Sequence, residues 1–528
     1  MVPFAVWWIK KDFRSADNAA LMAAHRFALE RKCALVALVV IEPEARQAPE
    51  QHVRRDRFVV ESMNQIAANL DALNINIFIA QGSADNVFAH LASCGLKAVF
   101  SHEETGLLWT YARDMRLHKF FLERGIHWHE FPFNGVVRRL GNRNLWQEKY
   151  RERIEGQVLP QPSGMLVPLS QDFCTALNEE KMSLKFSRFS LHSPCEWVSS
   201  ALKWKNRQQL GGERVAHALL NRFLQPEIHG KYIASLSRPK DAQSFSSRLS
   251  PYLAFGCISS RQIIAHLANH AKSDALNKRS VSAFRSRLAW RCHFVQKLED
   301  FPQLEEREQN SALAGLRPEM SSDDFQRWES GQTGYPLVDA CLRSVHATGY
   351  LNFRMRAMLM SFATHLMWRD WRQPAWDLAR AFLDFEPGIH FAQVQMQASV
   401  TGNNQIRIYN PLKQSLENDP HGTFIKQWVP ELRDVDAGRI HALEGLPSRY
   451  PRPIVDLNLA TASAKETLFK RFSESDVRIA AKQVQERLGS RSGVRSWRRK
   501  KSTKSAPSKS KPKKDNDSDI TLFDLPGS

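Results

Sequence analysis

The apolar run Phe4-Ala5-Val6-Trp7-Trp8-Ile9 opens the chain and sets the pattern of residues 1–131. Short runs of this kind predict strands, and they recur at Ala34–Ile41, Ile75–Ala80, Lys97–Ser101 and Ile126–Phe131. Segments with the helical 3.6-residue period lie between them, at Ala19–Arg31, Val53–Leu73, Ala84–Ser93 and Thr110–Arg124. Strands that alternate with helices are joined by crossovers. The pattern therefore predicts an α/β domain whose doubly wound parallel sheet forms a ligand crevice at the carboxyl ends of its strands.

The rest of the chain changes character twice. Residues 132–204 are repeatedly interrupted by proline, which predicts an interdomain connector with short helices. Residues 205–487 show little β-alternation and much helical period, which predicts an all-α domain. In residues 488–528 Ser, Lys, Arg and Pro dominate, and we expect a disordered basic tail because such a segment cannot bury enough apolar surface to fold.

The composition restricts the class of protein. With 528 residues, 43% of them hydrophobic, the chain can form large cores, which excludes a coiled coil or a disulfide-stapled miniprotein. No apolar run approaches the roughly 20 residues of a membrane span. The seven cysteines include no C-x-x-C pair, which is typical of a reducing compartment, so we expect a cytoplasmic protein. We also expect a monomer that has no membrane partner. The net charge of +19 indicates a polyanionic partner, with nucleic acid as the first candidate.

Several motifs follow one another in the helical half in a fixed order. They are Ser246-Ser247-Arg248-Leu249-Ser250-Pro251-Tyr252, Leu288-Ala289-Trp290-Arg291, Thr333-Gly334-Tyr335-Pro336-Leu337-Val338-Asp339-Ala340 and Trp428-Val429-Pro430-Glu431-Leu432. In this order they resemble the flavin-binding domain of the DNA photolyase and cryptochrome family, and Asp12-Phe13-Arg14 near the start is similar to the family's Asp-Leu-Arg. The resemblance covers residues 1 to about 435. It implies a divergent bacterial member of the family, with a noncovalent, bent FAD that is excited by blue light.

The resemblance also implies which residues hold the FAD. The hydroxyls and backbone amides of the 246–250 segment suit pyrophosphate oxygens, although the same serines also fit a helix N-cap. Asp384 and Glu386 align with acidic positions beside the flavin and its ribose, where a carboxylate can pair with Arg356. The full expected set is Tyr232, Ser246, Ser247, Arg248, Leu249, Ser250, Arg291, Arg356, Asp384 and Glu386.

The positions that contact DNA lesions in the family differ here. Relatives that repair cyclobutane dimers carry Glu three residues before the Trp-Arg pair and Asn before the Arg-x-Arg pair, and this chain carries Arg287 and Phe353. Arg cannot accept a hydrogen bond and Phe can form none, so the usual recognition of the lesion is in doubt. The expected DNA contacts are Arg287, Trp290, Tyr350, Phe353 and Arg354.

The electron- and proton-transfer positions differ as well. His390 stands where relatives place Asn or Asp against the reactive flavin nitrogen, and an imidazole of near-neutral pKa there could donate a proton. In the family's three-tryptophan relay, Val394 replaces the member nearest the flavin, whereas Trp371 keeps the middle position. We expect Trp290 and Trp371 to take part in electron transfer, with Tyr350, Trp368 and Trp376 as other routes.

Two further cofactors occur in the family. An iron–sulfur cluster needs four cysteines in the helical domain, and only Cys257, Cys292 and Cys341 fall there, so we expect no cluster and no metal. An antenna chromophore would occupy the N-terminal crevice. The Asn-Glu pair that clamps a folate in some relatives is Trp109-Thr110 here, which argues against folate held in that way and leaves a deazaflavin or an empty crevice.

The tail carries one more motif. Asp519-Ile520-Thr521-Leu522-Phe523 resembles the Q-L-x-L-F peptide by which bacterial repair and replication proteins dock on the sliding clamp. For the whole chain, UV-damaged DNA as substrate of a light-driven lyase is the preferred interpretation, because the body is basic without the tail. A blue-light photoreceptor is the alternative, and a flavin-free nucleic-acid-binding protein is the third hypothesis.

Overall fold

The computed structural model describes residues 3–170, 173, 184–205, 208–271 and 276–489. The tail from residue 490, with the peptide Asp519–Phe523, lies outside the described residues, and its order and clamp binding stay predictions. No helix in the described ranges is long and apolar enough to span a membrane. The cytoplasmic location and the domain bounds also stay predictions.

The N-terminal half contains a six-stranded sheet in the order β5-β4-β1-β2-β3-β6. Its strands are β1 (Phe4–Trp8), β2 (Ala34–Ile41), β3 (Asn76–Gln81), β4 (Leu96–His102), β5 (His127–Phe131) and β6 (Lys185–Arg188). The first five strands are parallel, which confirms the doubly wound sheet. Strand β6 pairs antiparallel with β3 from within the segment expected to be a connector. The Lys-Phe-Ser-Arg sequence is short and charged, as is usual for an edge strand, so it gives no strong strand signal.

Five helices lie between the parallel strands along the chain. They are α1 (Ala19–Arg31), α2 (Pro43–Gln47), α3 (Val53–Asp71), α4 (Ala84–Ser93) and α5 (Leu108–Glu123). Helices α1 and α3 pack on one face of the sheet and α4 and α5 on the other. Local sequence explains where they start, since the Asn18 side chain accepts from the N–H of Leu21 and Ser83 caps α4 in the same way.

The remainder of the described chain is mainly helical, as expected. Its helices are α6 (Trp146–Ile154), α7 (Glu196–Lys203), α8 (Glu213–Phe223), α9 (Pro226–His229), α10 (Tyr232–Ser235), α11 (Pro239–Phe245), α12 (Ser250–Ala254), α13 (Ser260–Ala271), α14 (Lys278–Asp300), α15 (Ser322–Glu329), α16 (Pro336–Thr348), α17 (Phe353–Ser361), α18 (Arg372–Ala381), α19 (Pro387–Gln397), α20 (Pro411–Asn418), α21 (Thr423–Trp428), α22 (Ala437–Ala442), α23 (Leu457–Ser473) and α24 (Ser475–Leu488). Helix α17 ends at Ser361, and a π-helical turn follows it at Phe362–Leu366.

The Asp12-Phe13-Arg14 motif joins the two halves. The N–H of Phe13 donates to the carbonyl of Phe255 at 3.2 Å, and Arg14 donates to the carbonyl of Gly256 at 2.9 Å. Gly256 has φ +64°, and a Cβ there would lie 2.1 Å from the carbonyl oxygen of Lys11, so only glycine fits this close approach. The contact fixes the 246–256 segment against the end of β1.

The Thr333–Ala340 motif is structural. Asp339 is fully buried and accepts from the N–H and the hydroxyl of Thr333, at 2.7 and 2.6 Å, and from the hydroxyl of Tyr450 at 2.6 Å. These bonds fix the turn that starts α16, one of the helices behind the cavity described next.

Candidate cofactor and substrate cavity

A cavity of about 620 Å³ lies within the helical half, which is the size of a small-molecule or cofactor site. Its walls come from α14, α17, α19, residues 246–250, residues 349–352 (the Tyr350 loop) and residues 382–386 (the Asp384 loop). Every expected cofactor-binding residue and every expected DNA-contacting residue lines this cavity. His390 and Val394 line it too, whereas Trp371 does not.

The 246–250 segment forms one wall of the cavity. The Ser246 hydroxyl donates to the carbonyl of Ala242 at 2.6 Å, and the Ser247 hydroxyl accepts from the N–H of Leu249 at 3.4 Å. The N-cap of α12 is Leu249, without a side-chain bond, so the N-cap interpretation of these serines is wrong. Arg248 has φ +56° and places its guanidinium 3.4 Å from the centre of the Tyr350 ring, which links this wall to the Tyr350 loop.

Two ion pairs hold the carboxylates of the Asp384 loop. Arg356 donates to both oxygens of Asp384, at 3.0 and 2.8 Å. Glu386 pairs instead with Arg291, at 2.9 Å. Burial raises the pKa of Asp384, but the charge and hydrogen bonds of Arg356 outweigh it, so the net effect lowers the pKa. Both carboxylates are therefore compensated inside the cavity wall.

Several buried polar atoms in the cavity wall have no hydrogen-bond partner among the described residues. They are Nη1 of Arg291, Oγ of Ser286, Oδ1 of Asn352 and Oε1 of Gln393. Buried polar groups are nearly always paired, and an unpaired one costs about 1–3 kcal/mol. Donors and acceptors in this arrangement fit a ligand that carries both, such as the phosphates and ring nitrogens of FAD.

The cavity wall is strongly cationic. Among its described residues are seven arginines and two carboxylates, and each carboxylate is paired with one of these arginines. The arginines are Arg248, Arg279, Arg287, Arg291, Arg354, Arg356 and Arg407. Such a wall favours a polyanionic ligand.

Several residues of this wall are not among the site residues predicted from the sequence. Arg279, Ser282 and Ser286 share one face of α14 with Arg287 and Trp290, because their spacing follows the helical period. Their helical spacing was the sequence signal that could have identified them. Arg407 and Tyr409, beyond α19, also line the cavity, and they belong to the segment Arg407-Ile408-Tyr409-Asn410-Pro411, which resembles a closing segment of the family's flavin-binding domain.

The lesion-contacting positions are not equivalent. Arg287 forms a side-chain hydrogen bond with Tyr232, the tyrosine expected on the phosphates, and burial lowers the pKa of Arg287. Arg354 donates to the hydroxyl of Ser237 at 3.1 Å, and Phe353 is 39% exposed at the rim. Arg287 thus lies against Tyr232 in the cavity wall, whereas Phe353 lies at the rim.

His390 corrects one expectation. Its Nε2 lies 2.9 Å from the carbonyl of Ala375, and a carbonyl only accepts, so Nε2 carries the proton and Nδ1 is an acceptor. Burial lowers the pKa of His390 to about 3. This low pKa disagrees with the near-neutral value expected from the sequence, and the role of His390 in proton transfer stays a prediction.

Trp371 is buried behind the cavity and donates to Glu308 at 3.2 Å. Its ring centre is 6.3 Å from that of Phe391, which is 4.8 Å from Trp376 and 5.1 Å from His390. A series of aromatic rings thus connects Trp371 to His390 in the cavity wall. Its role in electron transfer, like that of Trp290, stays a prediction.

The N-terminal crevice lies at the carboxyl ends of β1 and β4, where the order of the strands reverses. Beside it, Arg113 forms ion pairs to Glu42 and Glu104 at 2.7 Å each, and its guanidinium lies 5.4 Å from the Trp109 ring centre. A pocket of about 20 Å³ lies there, lined by residues such as Lys10, His102 and Glu104, with room for about one water molecule. An antenna chromophore in this crevice stays a prediction.

Comparisons with known proteins agree with the fold and the cavity. Residues 5–139 match the DNA photolyase family model, and residues 284–470 match the FAD-binding domain of DNA photolyase. A deoxyribodipyrimidine photo-lyase of Vibrio cholerae is 27% identical over 475 residues, which cover 85% of this chain and 96% of that protein. A cryptochrome DASH of Idiomarina loihiensis is 27% identical over 447 residues, covering 80% of this chain and 92% of the relative.

A solved structure has the same fold. The archaeal photolyase of Sulfolobus tokodaii, crystallised with two FAD molecules, superimposes with a TM-score of 0.70 at 23% identity, covering 88% of this chain and 99% of that one. The protein belongs to the DNA photolyase and cryptochrome family, and it carries that family's FAD-binding domain.

Proposed function

We propose that the protein is a blue-light-driven, FAD-dependent lyase that splits pyrimidine dimers in UV-damaged DNA. The observation that carries this proposal is the excess of arginines over carboxylates in the cavity wall. DNA binding is driven largely by cations that replace the counterions of its phosphates, so a cationic opening favours DNA over a neutral partner.

The residues of the cavity wall have different roles, depending on where they lie. The Arg356–Asp384 and Arg291–Glu386 pairs fix the wall against which FAD binds, and the serines of the 246–250 segment face its phosphates. Trp290 and Tyr350 offer ring faces to a base that has left the DNA stack. When bound, FAD would supply light-driven electron donation to the dimer.

A blue-light photoreceptor is the second candidate. The bond between Arg287 and Tyr232 favours it, because the side chain at the family's lesion-recognising position is engaged by another residue of the cavity wall. Phe353 adds no hydrogen bond to a lesion. As a photoreceptor the protein would bind FAD but would not repair DNA.

The test is blue-light illumination of the FAD-loaded protein with oligonucleotides that carry cyclobutane or (6-4) dimers, followed by chromatographic counting of the remaining lesions. The proposal expects lesion loss that needs both light and protein. Arg354→Gln should weaken DNA binding and lower the salt slope of log K by about 0.9 if Arg354 contacts a phosphate. The matched control is Arg380→Gln, since Arg380 pairs with Glu329 on the surface away from the cavity. A bound flavin without lesion loss would favour the photoreceptor.

A further inference from the structure

Arg54 reaches from the N-terminal half into the helical half. It lies on α3, is 1% exposed, and donates Nη1 to the carbonyl of Val345 at 3.1 Å and Nη2 to the carbonyl of His346. Nη1 also donates to the carbonyl of Ala381. One guanidinium therefore binds the last turns of two helices, α16 and α18.

Arg55 extends the same contact. Its Nη2 donates to the carbonyls of Ala379 and Phe382, the latter at 3.1 Å, and its guanidinium lies 5.2 Å from the ring centre of Phe385. The last carbonyls of a helix have no partner within the helix and carry its negative end. Two arginines at these ends satisfy such carbonyls and oppose that charge.

Both helix ends lead directly into the cavity. The Tyr350 loop follows α16, and the Asp384 loop follows α18. The N–H of Leu383 donates to the carbonyl of Gly349 at 2.9 Å, which ties the two loops together. A Cβ on Gly349 would lie 2.8 Å from Nη1 of Arg54, so the glycine lets the loop rest on the guanidinium.

The charge of Arg55 also reaches the cavity wall. It interacts electrostatically with Asp384 and opposes protonation of His390. A cation there makes the addition of an electron to a neighbouring flavin more favourable.

We propose that Arg54 and Arg55 are positioning residues for the cofactor: the N-terminal domain uses them to hold the Tyr350 and Asp384 loops in the geometry that binds FAD. This inference rests on the proposed binding of FAD in the cavity. It assigns the N-terminal domain a role in cofactor affinity that does not depend on an antenna chromophore.

The test compares Arg54→Met and Arg55→Met with Arg57→Met in the full chain. Arg57 is the matched control, because it lies on the same helix and donates to Glu61 and to the carbonyl of Trp204, away from both loops. Three quantities are measured for each variant: the unfolding temperature without FAD, the dissociation constant of FAD, and the reduction potential of the bound flavin.

We expect the dissociation constant to rise about ten- to a hundredfold in Arg54→Met, the value of one charge-assisted hydrogen bond. In Arg55→Met we expect a more negative reduction potential. Arg57→Met should change neither the dissociation constant of FAD nor the reduction potential. Arg54→Lys should recover part of the affinity, because it restores the charge but not the bonds to all three carbonyls.

Equal losses of unfolding temperature in all three variants, with unchanged affinity and potential, would overturn the inference and leave a purely structural role. If Arg54→Met does not fold, the measurements on Arg55→Met test the inference, because Arg55 is only partly buried. A wild-type protein that takes up no FAD would instead contradict the proposed function, so the two failures are distinguishable.

Discussion

Nη2 of Arg356 donates to both carboxylate oxygens of Asp384, and its guanidinium lies 3.9 Å from the ring centre of Phe382. The pair joins α17 to the Asp384 loop. It therefore connects the stability of the helical domain to the shape of the cavity.

Arg356→Met should destabilise the protein by about 3 kcal/mol, because it leaves Asp384 buried without its cation. The free energy of unfolding in urea measures this. Lys413→Met, which removes an exposed pair with Glu417, is the control and should cost less than about 1 kcal/mol. Equal effects of the two substitutions would contradict the account.

Asp384 should also contribute to acid denaturation. Its pKa is lower in the folded state than in the unfolded chain, so its contribution is complete above the unfolded value of about 4 and is lost as the pH falls through the folded value. The stability difference between wild type and Asp384→Asn should therefore shrink below about pH 4. A difference that stays constant over that range would exclude this linkage.

His390 should remain neutral in the folded protein at physiological pH. Its folded pKa of about 3 lies below the ordinary value, so its contribution to stability is complete above about pH 6.5 and is lost toward pH 3. His390→Gln should flatten this part of the stability curve. NMR of the imidazole should show the tautomer protonated on Nε2, and a charged ring at pH 6 would contradict the assignment.

Restoring the family's residues should improve lesion recognition. Arg287→Glu with Phe353→Asn adds an acceptor and an amide at the cavity, and two such contacts should tighten binding of dimer-containing over undamaged DNA by about tenfold or more. Competition binding in the dark measures the ratio. The single variants are the controls, and a double variant no more selective than wild type would show that the cavity does not receive the lesion.

The clamp peptide is tested with the full chain. Deletion of residues 519–525 should abolish binding to the purified bacterial sliding clamp, since the apolar side chains Ile520, Leu522 and Phe523 would supply the contact. A shuffled order of the same seven residues is the control. Clamp binding that is unchanged by the deletion would refute the hypothesis that this peptide binds the clamp.

The fold was largely predictable from local pattern. The five parallel strands and helices such as α1 and α4 agree with the apolar runs and periods to within a residue or two. Strands β1 to β4 bury most of their own apolar residues, whereas β5, at the edge, has no fully buried residue. Strand β6 was not predictable, since its pairing with β3 depends on a distant edge rather than on its own sequence.

The cavity was predictable only through the resemblance. Asp384 and Glu386 have no local feature that separates them from a solvated loop, yet they find different arginine partners in the fold. The state of His390 depends on a carbonyl fifteen residues away, and the contacts of Arg54 cross from one half of the chain to the other. Such contacts follow from tertiary packing, which a sequence period does not encode.

The central claim is that the cationic cavity binds FAD. Its most direct test is the absorption spectrum of the purified protein, with titration of FAD into material stripped of it. The account predicts a flavin spectrum and saturable uptake of one FAD per cavity, weakened by Arg356→Met and unchanged by Lys413→Met. A colourless, folded protein that takes up no FAD would contradict it.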